Sequence, residues 1–381
     1  MAISRRDFIG KIGTAAVVGA GVSPFLGSVR ALQSMEMSAS GTNGPIRLNR
    51  NENAYGPSER VKLKIQRSLA YANRFPDSAC DALVSQISAL HKVKPEQVIL
   101  GCGSTEILRQ AASAFLGPRR KLILSSPTFD VIGTYAAATG AAVVTVPLDR
   151  SYANDLNGIL GRVDASTGLV YVCNPNNPTA VLNPRSDLEH FIAKLPRNTR
   201  VIIDEAYHDY AGNSSSYKSF IDHPVDSDRV IVVRTFSKIH GLAGLRVGYG
   251  IAAPETARQI SSSAVSNNIS VVAAEAAIAA LEDTSNVQIN IQRNSDARQE
   301  FFNSAYGRMM RPVDSYTNFI FFKTSRRVDD MVGHFKNHNV LIGPHCPGFD
   351  DYIRVSIGLP EEMHEFWRVW SLMPLSGEMT M

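Results

Sequence analysis

Short apolar runs alternate along this chain with longer stretches in which apolar residues recur every third or fourth position. Val98–Leu100, Lys121–Leu124, Ala141–Val146, Gly168–Cys173, Arg200–Asp204, Val230–Val233 and Leu245–Ile251 are rich in Val, Ile and Leu without a regular polar alternation. Strands covered by helices on both faces read this way, because neither face meets water. Seven such runs predict a mostly parallel, seven-stranded sheet in an α/β domain over 77–285. The pattern then changes. A polar helical stretch, Val287–Ala305, precedes Asn318–Phe322, Val340–Ile342 and Tyr352–Ser356. This predicts a small α+β domain over 286–372, with 373–381 as a flexible tail and 45–76 as an arm that packs with the small domain.

Composition narrows the function classes. With 44% hydrophobic and 19% charged residues over 381, the chain can bury a large core. A net charge of +4 with no basic stripe interleaved with aromatics argues against a nucleic-acid partner. The four cysteines, Cys80, Cys102, Cys173 and Cys346, are far apart and form no C-x-x-C pair. They read as buried small apolar residues; no metal site follows from them, and no disulfide is demanded.

In open parallel sheets, ligands sit beyond the carboxyl ends of the strands, and polar residues gather there in this chain. Asp204 closes one run, Asn177 follows another and Lys238 a third. The turn Gly101-Cys-Gly-Ser-Thr105 lies between a strand and a helix, where free amides favour a phosphate. Within Arg234–Tyr249, Lys238 is flanked by Ser237 and, eight residues on, Arg246. A lysine can form a Schiff base with an aldehyde, while serine and arginine hold a phosphate. Pyridoxal 5'-phosphate carries both groups. Asp204 suits its pyridine nitrogen, and Asn177 and Tyr207 suit its ring oxygen. Arg246, Ser104, Thr105, Thr235 and Ser237 suit its phosphate. Phe129 is either a stacking platform for the ring or core. Arg354 either meets substrate or pairs with Asp350 or Asp351. Glu52 and Asn53, in the arm, are candidates for substrate contact, with Glu52 favouring a cationic group. His208 and His240 are either structural or near the substrate.

Several segments, in order, carry a family resemblance: Leu48–Pro57, Arg74–Asp77, Gly101–Thr105, Asn174–Thr179, Asp204–Tyr207, Ser237-Lys238 with Arg246, Thr317–Ile320 and Ile353–Gly358. Over about 45–372 the chain resembles a fold-type I pyridoxal phosphate aminotransferase of the class I/II group, nearest the histidinol-phosphate aminotransferases. The resemblance implies that Lys238, Asp204 and Tyr207 are catalytic and that Phe129 stacks on the ring. It implies that Arg354 clamps a carboxylate or another anionic group, that an amino donor and a keto acceptor alternate at one site, and that the enzyme is a homodimer. An oxidase or lyase using the same Lys238 chemistry is the alternative; a non-catalytic periplasmic binding protein is a remote one. Three departures stand out. Phe75 replaces a common tyrosine whose hydroxyl reaches the neighbouring subunit's cofactor phosphate. The usual Pro-Tyr-x-Pro-Gly-like segment before Leu48 is absent. Gly343-Pro-His-Cys-Pro347 follows Ile342, where enzymes using histidinol phosphate tend to carry an arginine.

The amino terminus adds an address. Residues 4–11, Ser-Arg-Arg-Asp-Phe-Ile-Gly-Lys, resemble the twin-arginine export signal at every position. A moderately apolar stretch follows, Ile12–Val29, interrupted by Pro24 and Gly27, which makes it a poor membrane span. Val29-Arg30-Ala31 suits a cleavage site. The expectation is a signal over 1–31, a linker over 32–44, export by the twin-arginine machinery to the periplasm, cofactor loading in the cytoplasm, and a mature chain with no membrane span.

Overall fold

The computed structural model describes residues 44–224 and 227–373. The export signal and its cleavage site lie outside them. Eleven strands form among the described residues, beginning with β1 (Ile46–Leu48). The central sheet contains β2 (Val98–Gly101), β3 (Lys121–Ser126), β4 (Ala142–Pro147), β5 (Thr167–Cys173), β6 (Arg200–Asp204), β7 (Val230–Thr235) and β8 (Gly248–Ile251), in the order β2-β8-β7-β6-β5-β3-β4. β7, β6, β5, β3 and β4 are parallel, and β8 runs antiparallel to both neighbours, β2 and β7.

The burial of β5 explains its unbroken apolar run, since all seven residues are buried. Alternate side chains enter different cores. Val170 and Val172 join one with Val201, Ile203 and Val232, whereas Leu169, Tyr171 and Cys173 join another with Ile202, Ile231 and Val233. β4 departs from the two-sided expectation: it is an edge strand with only Val146 buried. The cysteine expectation also needs correction. Only Cys173 is buried, and Cys102 is exposed on the turn after β2.

The carboxyl-terminal part pairs β9 (Phe319–Lys323) antiparallel with β11 (Tyr352–Ser356). β10 (Val340–Ile342) pairs in parallel with β1. The helices Thr284–Tyr306, Val328–Asn337 and Pro360–Ser371 cover these strands around Phe301, Phe322, Phe335 and Phe366. Leu48 of β1 is buried in the same core, and this anchors residues 49–52 at the mouth of a cavity. No helix among the described residues is long and apolar enough to cross a membrane.

Candidate active site

Strand order delivers the chemistry. β6 lies between β5 and β7, so Asp204, Asn177 and Lys238 arrive at three adjacent strand ends. Gly101 of β2 and Thr235 of β7 both pair with Gly248 at the start of β8, which brings the Gly101–Thr105 turn beside Thr235 and Ser237. A cavity of about 920 Å³ opens there.

At its floor Asp204 is 1% exposed. Tyr171 donates its hydroxyl to Asp204 Oδ2 at 2.8 Å, and the Ala206 amide donates to Oδ1 at 3.1 Å. Burial nevertheless raises its pKa to about 6, against the lowering effect of these two bonds. A buried carboxylate on a cavity wall, with two donors and no ion pair among the described residues, fits a protonated ring nitrogen.

Lys238 Nζ donates to the backbone carbonyls of Asn51 (3.0 Å) and Arg50 (3.3 Å). Burial, then the positive charge of Arg354, lowers its pKa to about 8. Tyr207 OH accepts from Asn51 Nδ2 at 3.0 Å, and Asn177 Oδ1 accepts from Arg354 Nη1 at 2.6 Å. These bonds leave the Tyr207 O–H and the Asn177 amide N–H groups with no acceptor among the described residues, so both remain available to a ring oxygen.

The phosphate end is shaped by backbone. The helix Ser104–Phe115 starts after Gly103, which has φ 73° and offers no side-chain cap, so the Ser104 and Thr105 amides stay free, while the Glu106 amide donates to the Gly103 carbonyl. Arg246 Nη1 donates to Ser237 Oγ at 3.1 Å and Thr235 Oγ1 to Ser237 Oγ at 3.0 Å. A Cβ at Gly103 would collide with Arg246 Nη2. The residues present therefore fit pyridoxal phosphate: an amine, a buried carboxylate, two free donors, and an arginine beside unpaired helix amides.

Arg354 enters from β11. Its Nη2 donates to the Asn49 carbonyl at 2.8 Å, while its buried Nε has no partner. The nearby acids are engaged elsewhere, Asp351 with Lys323 (3.0 Å) and Asp350 with His345 (2.8 Å). Thus the alternative of a local pair for Arg354 fails.

Ser104, Thr105, Phe129, Asn177, Asp204, Tyr207, Thr235, Ser237, Lys238, Arg246, Arg354 and Glu52 all line this cavity. Asn53 does not. Its Nδ2 donates to the Ile239 carbonyl, its Oδ1 accepts from the Tyr55 amide, and it lines a different, small pocket, so the expectation of a substrate contact is corrected. His208 and His240 do not line the cavity either, which favours their structural reading. His208 lies 3.2 Å from Asp209, and His240 packs against Phe236. Sequence reasoning missed Asn51, the donor to Tyr207, and Lys336, which lines the cavity from the helix Val328–Asn337. Asn51 sits inside a segment already singled out, but nothing in that segment says which of its asparagines turns inward.

The family model for aminotransferase class I and II matches residues 43–368. Histidinol-phosphate aminotransferase of Akkermansia muciniphila is 33% identical over 318 residues, 83% of this chain and 86% of the relative. That of Caldicellulosiruptor saccharolyticus is 34% identical over 324 residues, 84% and 89% of the two chains. The crystal structure of histidinol-phosphate aminotransferase from Sinorhizobium meliloti, in complex with pyridoxal-5'-phosphate, superimposes with a TM-score of 0.81. It shares 25% identity, with 93% of this chain and 100% of that one covered. The fold is that of the fold-type I pyridoxal phosphate enzymes. The chain belongs to the class I and II aminotransferases, and its activity is pyridoxal phosphate-dependent transamination of small molecules; these relatives favour that outcome over an oxidase or lyase.

Proposed function

We propose that Lys238 holds the cofactor and moves the proton. Asp204, Asn177, Tyr207 and Phe129 would hold its ring, and Ser104, Thr105, Thr235, Ser237 and Arg246 its phosphate. The observation that carries the assignment is the convergence of a buried Asp204, Lys238 and Arg246 on one cavity with Arg354 facing them. Pyridoxal phosphate held there would supply an electron sink for the bonds at the amine-bearing carbon. Asp204 would favour a positive charge at the ring nitrogen, and that charge would in turn keep Asp204 ionised despite its burial. With a pKa lowered to about 8, Lys238 Nζ loses its proton more readily than an exposed lysine. It can therefore take the proton from the amine-bearing carbon and return it, as general base and then acid. Asn177 stays near Arg354, so its position responds to whatever anion the guanidinium binds.

The amino donor in this reading is an amino acid or related amine with an anionic group for Arg354. Glu52, on the same wall, favours a donor that also carries positive charge. A keto acid is the second partner. Leu69, Tyr71 and Phe75 are 59%, 59% and 78% exposed within seven residues, which supports a homodimer through that segment. The Ser4–Lys11 segment supports export by the twin-arginine route to the periplasm; a tagged chain should leave the cytoplasm only while Arg5 and Arg6 are intact.

A screen of amino donors and keto acceptors on the holoenzyme, with borohydride reduction followed by peptide mapping, tests the central assignment. The cofactor should be fixed to Lys238, and a donor should convert the cofactor to its amine form under nitrogen. Fixation to another lysine, or full activity in Lys238→Ala, would sink it.

A further inference from the structure

The strand that carries Arg354 is tied to the loop that carries Asn177 at a second place, outside the cofactor cavity. The hydroxyls of Tyr152 and Tyr352 lie 2.7 Å apart, and both residues line a separate surface cleft. Tyr152 has φ 65°, a left-handed conformation that residues with a Cβ rarely adopt, so its contacts must hold it there. Its carbonyl accepts from Thr179 Oγ1 at 2.9 Å, and Thr179 Oγ1 accepts from Asn176 Nδ2 at 3.0 Å. Tyr152 is thereby fixed to the Asn176–Thr179 loop. Tyr352 opens β11 two residues before Arg354, on the same side of the strand. Its ring stacks on Phe321 (5.0 Å, 23°) and meets Phe349 edge-on (5.1 Å, 90°). Arg354 Nη1 reaches the same loop at Asn177 Oδ1, 2.6 Å away. On its other flank a Cβ at Gly343 would come within 2.6 Å of the Arg354 carbonyl oxygen and 3.1 Å of its Nε, so the arginine is closely walled on that side.

We propose that Tyr152 and Tyr352 form a positioning pair that sets Arg354 against Asn177 and so tunes affinity for a substrate carboxylate. This rests on the reading of Arg354 as the anion clamp. Neither phenol touches the reacting atoms. The pair acts by restricting how far β11 can move relative to the loop.

The test uses Tyr152→Phe, Tyr352→Phe and the double variant as holoenzymes, with L-glutamate as the carboxylate-bearing donor. Each single variant should raise the KM for glutamate about three- to tenfold, the range expected for losing one neutral hydrogen bond. The kcat and the cofactor dissociation constant should hold. The double variant should match the single ones, because both remove the same contact. Hydrogen exchange should quicken in residues 149–154 and in β11 alike, a readout that needs no ligand. Unchanged exchange, additive effects, or faster exchange with an unmoved KM would overturn the pairing. Arg354→Gln separates the two readings. If it raises the KM while the tyrosine variants do not, only the positioning pair fails; if it leaves the KM unmoved, the clamp fails first.

Discussion

At Lys238 the local environment sets the chemistry. Burial, then the like charges of Arg354 and Arg246, lowers its pKa, whereas Glu52 and Asp204 raise it, for a net value of about 8. Capture of pyridoxal phosphate by cofactor-free protein should therefore quicken as pH rises through about 8, because only the neutral amine attacks an aldehyde. Arg354→Gln removes one repulsion, so the midpoint should move upward in stopped-flow absorbance; an unmoved midpoint would mean that Arg354 does not contribute to it. Lys238→Ala should lower turnover by more than about 10³-fold, near the upper range for a lost general acid–base. Asp204 gives the opposite sign. Its pKa rises on folding from 3.8 to about 6 in protein without cofactor, so the fold holds this proton more tightly than the unfolded chain does. The stability it contributes is complete below pH 3.8 and is lost as pH rises through 6. Against Asp204→Asn, the Tm of cofactor-free protein should fall across that window, and added cofactor should cancel the fall.

Elements place these residues, and the β2 turn does so most tightly. Gly103 combines φ 73° with an Arg246 side chain lying where a Cβ would be. Gly103→Ala should cost about 1 kcal/mol or more in backbone strain alone and displace Arg246, weakening cofactor binding at least about fivefold in an absorbance titration; Cys102→Ala, at an exposed neighbour, should leave it unchanged. This turn, and the ends of β5, β6 and β7, were legible in the sequence because polar residues stop apolar runs there. The direction of β8 was not. Its residues, Gly248–Ile251, are few and uniformly buried, and a short apolar run has no polarity along the chain. Leu245, Arg246 and Val247 were expected in that strand but precede it, with Arg246 at φ 55°. The arm was legible as a motif but not residue by residue. Asn51, at φ 54°, turns its amide to Tyr207, whereas Asn53 turns to the backbone; irregular chain has no period from which that choice follows. Lys336 was missed because a cavity lysine on an amphipathic helix looks like any solvated one.

At the scale of the whole molecule, one stretch bears on the proposed homodimer. Leu69, Tyr71 and Phe75 expose large apolar side chains between two helices, Glu59–Ser68 and Asp77–His91. Scattered apolar residues are ordinary on a surface, whereas a group containing two aromatics fits the proposed contact with a second copy. In a two-fold dimer the same segment would be buried twice. Phe75→Asp should then shift sedimentation from twice the chain mass toward one, without changing the far-ultraviolet spectrum. Phe75→Tyr asks a finer question. If this segment reaches the partner's cofactor, as the family resemblance implies, a hydroxyl there adds a donor to the phosphate. Cofactor affinity should rise severalfold, on the order of one hydrogen bond to a charged group, and only in the dimer. Dilution below the dimer dissociation constant should erase the gain. A gain that survives dilution would mean that the hydroxyl acts within its own chain, and no change at any concentration would place Phe75 away from the phosphate.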